Sequence, residues 1–174
     1  YDNNAETIKT VDELFGMYEA SVGNGSNFLI NVGPDNHGLL CKADSDRLLE
    51  LGQRIRELYS SERNYSAPQK NNDVYTITHN EINDVDWNIP KEERLVNCLS
   101  IKEDLTNGQA VGAFKIYAYL PYYKHKKVLV FEGRTIGHRK LCRIPAVRAS
   151  KFELEITEFD KPYEIKEIKA FFID

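Results

Sequence analysis

The sequence has little of what marks a membrane, metal-binding or nucleic-acid-binding protein. No apolar run reaches the roughly 18 residues that a bilayer-spanning helix needs. The three cysteines, Cys41, Cys98 and Cys142, lack zinc-type spacing and are odd in number, so we expect buried free thiols at the two that lie in predicted strands. The net charge of −4 argues against nucleic acid, and the densest basic run, residues 124–127, is typical of a solvated turn.

The sequence also lacks an initiating methionine and a signal peptide. It opens at Tyr1 in a polar stretch typical of the middle of a protein, so we expect a longer parent chain. The missing signal peptide therefore carries no information about the parent's compartment. With 41% hydrophobic and 29% charged residues among 174, the composition is that of a globular protein with room for one medium domain, or one domain and a fragment.

The first part of the chain has the pattern helix, strand, loop, helix. Thr10 and Glu13 form a capping box, and an apolar stripe at helical spacing follows until Gly23, which we expect to end the helix. An apolar run predicts a strand over 27–32, and its polar exit is typical of a buried parallel strand whose carboxyl end faces a ligand site. A second helix is predicted over about 43–63.

A polar stretch at residues 64–73 is the best linker candidate, and short alternating segments follow it. Strands are predicted at residues 74–78, 95–101, 111–119, 127–131, 139–144, 152–156 and 165–172. Their spacing predicts an antiparallel sandwich over 74–174. The first 63 residues have too little surface to form a core alone, so they must complete a larger α/β body or pack on the sandwich.

The first part carries a specific signature, roughly Val-x-x-Gly-Asn-x-Leu-Leu-Asn-x-x-Pro, together with the spacing of the helix after it. The matching residues are Asn27, Leu29, Asn31, Gly33, Pro34, Gly38, Leu39, Asp46, Leu48 and Gly52. Over residues 9–60 the chain resembles the end of the catalytic barrel in α-L-fucosidases of glycoside hydrolase family 29, with Ile30 in place of a leucine. The resemblance implies that residues 1–63 are the C-terminal segment of a (β/α)8-like barrel.

The second part carries a related resemblance. Residues 99–111, 133–141 and 144–150 are similar to runs of the discoidin-like β-sandwiches appended to bacterial and plant fucosidases, with Ala110 where an arginine is usual. Together the two resemblances imply an α/β barrel end followed by an all-β antiparallel sandwich of the galactose-binding-like jelly-roll type.

The resemblance also implies a chemistry. Members are retaining hydrolases that remove terminal α-linked L-fucose from glycans, using an Asp nucleophile and a Glu or Asp acid/base about 5–5.5 Å apart. In the family both carboxylates precede the segment that begins at Tyr1, so we expect this chain alone to lack them and to be inactive. The reaction needs no cofactor. The implied partners are a fucosylated glycan and the remainder of the barrel, with no nucleic acid and no membrane span, and a secreted or periplasmic location is favoured.

Four residues are candidates for contact with a sugar. Asn36 and His37 lie on the loop over the predicted barrel mouth, where His37 either donates to a sugar hydroxyl or is a loop residue without a role. Asn31 either lines the substrate or ties the loop to backbone groups. Trp87 either stacks on a sugar or anchors the sandwich core. Asp35, in contrast, is typical of a turn former.

Other polar and aromatic groups leave further alternatives open. The acid pairs at 84/86 and 153/155 are typical of solvated strand positions rather than of a catalytic pair. An aromatic cluster, Tyr117, Tyr119, Tyr122 and Tyr123, either holds a glycan or packs against the barrel. Three hypotheses follow: the C-terminal portion of a fucosidase, a non-catalytic carbohydrate-binding module, and a purely structural domain.

Overall fold

The computed structural model describes residues 7–80, 95–124 and 126–173. Within them the helices are α1 (Val11–Ser21) and α2 (Lys42–Ser60), with short 3-10 turns at Val22–Asn24 and Pro121–Tyr123. The strands are β1 (Gln69–Asn71), β2 (Val74–Thr78), β3 (Val96–Glu103), β4 (Val111–Leu120), β5 (Lys126–Arg134), β6 (Lys140–Val147), β7 (Lys151–Phe159) and β8 (Ile165–Phe171).

The strands form two antiparallel sheets, one in the order β1-β2-β7-β4-β5 and the other in the order β6-β3-β8. Period-two patterning places their apolar residues between the sheets, as in β7, where Phe152, Leu154 and Ile156 are buried and alternate with charged residues. The antiparallel sandwich predicted from the sequence is confirmed.

The two helices form a third layer on the outer face of the three-stranded sheet. Leu14 and Phe15 of α1 and Leu58 of α2 share one core cluster with Leu141 of β6 and Phe171 of β8. Of the two arrangements expected for the first 63 residues, packing on the sandwich is therefore present. As a result β3 is buried on both faces.

The predicted free thiols are confirmed, and they lie on opposite faces of the three-stranded sheet. Cys98 belongs to the cluster under the helices and Cys142 to the core between the sheets. Burial raises the pKa of the Cys98 thiol to about 12 and raises the pKa of Cys142 as well. Both thiols are inert at neutral pH.

The start of α1 follows the sequence prediction and its end does not. The Thr10 hydroxyl accepts the Glu13 N–H at 3.2 Å, while a Glu13 carboxylate oxygen accepts the Thr10 N–H at 2.7 Å. The left-handed glycine is Gly25, with φ of 78°, rather than Gly23. Gly23 instead permits close packing, because an added Cβ would lie 3.1 Å from the Leu141 side chain.

Three further stretches differ from the sequence prediction. Residues 27–32 form no ladder within the described part of the chain, and Leu29 is 93% exposed, because a strand needs a neighbour for its backbone groups. The polar stretch 64–73 contains β1, and α2 ends at Ser60, three residues before the predicted end. Trp87 and the acids at 84 and 86 lie outside the described residues.

Candidate functional site

The extended segment 28–33 and the two helices enclose an open groove, here called the helix groove, of about 740 Å³. Its walls mix apolar and polar groups, among them Met17 of α1, Phe28 and Asn31 of the segment, and Arg47 of α2. Arg47 pairs with Glu50 at 3.3 Å, so its guanidinium is held near the groove by the next turn of α2. A cleft of this size and mixed lining suits part of a small ligand or a packed neighbour.

A tight loop follows the segment and is closed by the carboxylate of Asp35. Asp35 Oδ1 accepts the N–H groups of His37 and Leu39, both at 2.8 Å, and the Asp35 N–H donates to the Leu39 carbonyl at 2.7 Å. Gly38 has φ of 78°, which closes the turn at no steric cost. The turn-forming role expected for Asp35 is the one it has here.

The three candidate residues of this region do not share one surface. Asn31 lines the helix groove, whereas Asn36 and His37 lie exposed on the loop and are not among the groove's lining residues. No printed side-chain contact commits either loop residue to a substrate. Both alternatives stated for His37 and Asn31 therefore stay open.

The aromatic cluster divides between two places. Tyr122 and Tyr123 lie on the turn after β4 and are each 57% exposed, while Tyr117 and Tyr119 lie half-buried on the outer face of the five-stranded sheet. This face is opposite the helix layer, because the other sheet lies between them.

Glu153 is the centre of an ion-pair cluster on the same outer face. Its carboxylate accepts from Lys151 at 2.8 Å, from Lys127 at 2.9 Å and from the Tyr119 hydroxyl at 2.9 Å. Burial alone would raise the pKa of Glu153, but the hydrogen bonds from Lys151, Lys127 and Tyr119 outweigh it and lower the pKa to about 2. Its side chain is 13% exposed, so the expectation of a solvated acid is wrong for Glu153.

Glu103 is an organising residue that the sequence interpretation missed. Its carboxylate is 3% exposed and accepts three backbone N–H groups: those of Ala110 at 2.7 Å and Val111 at 3.0 Å on Oε1, and that of Gly137 at 3.1 Å on Oε2. The pattern held a signal, because 99, 101 and 103 alternate toward the core and the last of them is an acid. An acid at an inward strand position indicates a buried, hydrogen-bonded carboxylate.

A second groove, here called the β4–β7 groove, lies between the start of β4 and the end of β7 and has a volume of about 360 Å³. Its lining residues are Gln109, Ala110, Val111, Gly112, Thr135, Glu158, Phe159 and Asp160. None of them lines the helix groove. Phe159 is 50% exposed beside it.

Two searches of the structure gave no site. Among the described residues, no group of three or more His, Cys, Asp or Glu side chains is arranged to hold a metal ion. In the same part of the chain, no helix combines the length and apolarity that a bilayer crossing requires.

No family model and no curated protein matches the sequence. Solved structures do match. A protein of Bacteroides thetaiotaomicron provisionally named as an α-L-fucosidase is 24% identical with a TM-score of 0.83, over 99% of this chain and 36% of its own. A protein of Bacteroides ovatus with the same provisional name is 25% identical with a TM-score of 0.81, over 100% and 28%.

A third match is the Ruminococcus gnavus glycoside hydrolase family 29 fucosidase in complex with fucose, 24% identical with a TM-score of 0.68, over 94% of this chain and 37% of its own. The resemblance stated from the sequence is thereby confirmed at the level of the fold. The chain spans about a third of the length of these structures.

Proposed function

We propose that this chain is the C-terminal portion of a retaining α-L-fucosidase that hydrolyses terminal α-linked L-fucose from glycans. In this proposal residues 1–63 complete the catalytic barrel, and residues 74–174 form a galactose-binding-like sandwich that braces it. Residues 64–73 join the two parts. The nucleophile and the acid/base belong to the part of the parent that this chain does not contain.

The observation that carries the proposal is the unpaired segment 27–33. It is extended and apolar, it has no sheet partner among the described residues, and its Leu29 is 93% exposed. A solvated apolar strand is unfavourable by itself, so the segment is best explained as a strand whose neighbours belong to another part of the protein. The fold match over 99–100% of this chain, but 28–36% of the matched structures, supports the same explanation.

The acids of the described chain favour a non-catalytic role for it alone. Asp35 spends its carboxylate oxygen on two backbone N–H groups, and Glu153 is neutralised by two lysines. A retaining pair needs one free carboxylate nucleophile and one carboxyl group able to hold a proton. Neither Asp35 nor Glu153 meets that need.

The loop residues give the proposal its local content. The carboxyl end of a barrel strand is the face at which such enzymes place their sites, and the Asp35-closed loop follows segment 27–33 directly. We assign Asn36 and His37 to the rim of the fucose site and Asn31 to its wall. Fucose, the ligand in the Ruminococcus gnavus complex, is the sugar we assign to it.

The experiment that tests the proposal is hydrolysis of an aryl α-L-fucoside by the protein that contains this chain, with the intact mass measured on the same sample. Turnover by a protein much longer than 174 residues supports the proposal. Turnover by a sample whose mass corresponds to residues 1–174 alone overturns the assignment of the nucleophile outside the chain. A folded, full-length parent with no turnover overturns the fucosidase assignment.

The second candidate is a carbohydrate-binding module without catalysis, which is favoured by the exposed Phe159 beside the β4–β7 groove. It predicts sugar binding without turnover, and a purely structural domain predicts neither. Trp87 is the further residue assigned to stacking under this candidate. Replacing Trp87 by alanine separates a stacking role, in which binding is lost, from a core role, in which the fold is lost.

A further inference from the structure

We propose that the β4–β7 groove is a second sugar site, which binds one neutral pyranose ring of a glycan. It lies apart from the residues assigned to the fucose cleft, since the two grooves share no lining residue. The inference rests on the proposed function only for the choice of glycans as the ligand class. Its evidence is the aromatic ring, the polar rim and the prearranged floor of the groove.

The aromatic ring is that of Phe159, the last residue of β7. It is 50% exposed, and its ring centroid lies 4.9 Å from that of Tyr163, so it is held in place on one side and open on the other. A phenylalanine gains no hydrogen bond from exposure, and a half-open ring beside a groove is typical of a contact surface. The apolar C–H face of a pyranose is a suitable partner for such a ring.

The rim of the groove carries mostly hydrogen-bond acceptors. Glu158 and Asp160 flank Phe159 with carboxylates, and Gln109 adds an amide that both donates and accepts. Anionic ligands are disfavoured by the two carboxylates, whereas a ligand with several hydroxyl donors is favoured. The described residues offer no three-acid or mixed metal cluster, so a metal ion does not account for the rim.

The floor of the groove is fixed by buried contacts. Glu103 holds the N–H groups of Ala110 and Val111, and the β4–β7 ladder shifts register between Val111 and Ala113. Thr135 adopts φ of 48°, an uncommon conformation for a β-branched residue. Bulges and strained backbone of this kind are concentrated at binding sites, and a rigid floor lowers the entropy cost of binding.

The test is a titration of the folded chain with L-fucose, D-galactose and N-acetyl-D-glucosamine, followed by amide chemical shifts in NMR and by calorimetry. At least one sugar is expected to shift the amides of Ala110, Val111 and Gly112 in a saturable manner, with millimolar affinity. Phe159→Ala should weaken that binding about tenfold, since a lost aromatic contact is worth about 1 kcal/mol and more with its buried area.

Two further variants make the result decisive. Asp160→Asn keeps the shape of the rim and should weaken binding as well, while Tyr122→Ala, which removes an exposed ring at the other end of β4, should leave it unchanged. Absence of a saturable shift with all three sugars overturns the inference, and so does binding that neither Phe159→Ala nor Asp160→Asn affects. Sugar binding here without aryl fucoside turnover by the parent overturns only the catalytic proposal, and the reverse result overturns only this one.

Discussion

At the scale of single residues, Glu103 shows how one buried carboxylate organises two loops. It joins the connection before β4 to the connection before β6, because its two oxygens accept from Ala110 and Val111 on one side and from Gly137 on the other. A buried charge is retained at such a place only where its hydrogen bonds are complete.

We therefore expect Glu103→Gln to destabilise the fold by about 1–3 kcal/mol. The new amide NH2 must face at least one backbone N–H, so one buried donor loses its acceptor. Urea unfolding followed by circular dichroism measures the change. Glu132→Gln, at a carboxylate 58% exposed in its pair with Lys115, is the matched control and should change the free energy of unfolding by less than about 1 kcal/mol. Equal stability losses in the two variants would contradict the role assigned to Glu103.

Glu153 makes a second residue-scale prediction, which concerns pH. Its pKa is lowered to about 2 in the folded protein, below the value of about 4.3 for an unfolded chain. Its ion pairs therefore add stability that is present above about pH 4.3 and is lost as the pH falls toward about 2.

Glu153→Gln should accordingly lose less of its free energy of unfolding than the unsubstituted protein between about pH 5 and about pH 2.5. Urea titrations at a series of pH values measure this difference. Glu155→Gln, on the same strand and face, leaves the cluster of Lys151, Lys127 and Tyr119 around Glu153 intact, so it should keep the unsubstituted acid dependence. Parallel acid curves for Glu153→Gln and the unsubstituted protein would rule out the cluster as a source of acid sensitivity.

At the scale of elements, α1 contains two glycines whose surroundings differ in a way that can be measured. Gly16 lies on the exposed face of α1 and an added Cβ there meets nothing within 4 Å. Gly23, just beyond the helix, packs against Leu141 of β6, and an added Cβ would approach that side chain to 3.1–3.3 Å.

Gly16→Ala should therefore stabilise the fold by up to about 1 kcal/mol, because alanine is the better helix former. Gly23→Ala should destabilise it by about 1–3 kcal/mol, because Leu141 must move in a packed layer. Thermal melts of the two variants compare them directly. A stabilising Gly23→Ala would show that α1 does not dock on β6 as described.

The elements also show what one sequence can reveal. Alternating strands such as β2 and β7 were predicted because each has one buried face, and the capping box marked the start of α1 because it is purely local. β1 was missed because it is three exposed polar residues that become a strand only by pairing with β2. Segment 27–32 was predicted as a strand from its composition, but pairing depends on neighbours that the described chain does not supply.

The candidate site was less predictable than the fold. The loop of Asn36 and His37 was found because Gly and Pro mark its bounds, and its closure by Asp35 follows ordinary turn chemistry. The β4–β7 groove could not be found in this way, because Gln109, Thr135 and Phe159 are brought together only by the topology of the sandwich.

At the scale of the whole molecule, the layered order decides which surfaces are free to bind. The helices cover one sheet, so the outer face of the other sheet and the β4–β7 groove lie away from the helix groove. The apolar residues of segment 27–33 lie on the helix side. Under the proposed function, the remainder of the barrel docks there and buries Leu29.

Leu29→Thr therefore has opposite expectations in two contexts. In the isolated chain, Leu29 is 93% exposed, and the substitution should change the free energy of unfolding by less than about 0.5 kcal/mol. In the full-length parent, where the barrel strands would bury Leu29, the loss should be about 2 kcal/mol or more, because a packed leucine is replaced by a smaller, polar side chain. Leu129→Thr, at a leucine 44% exposed on the far sheet, should have a small effect in both contexts. Denaturant unfolding of the four proteins measures the difference, and a parent that tolerates Leu29→Thr as well as Leu129→Thr would show that no barrel strand covers this segment.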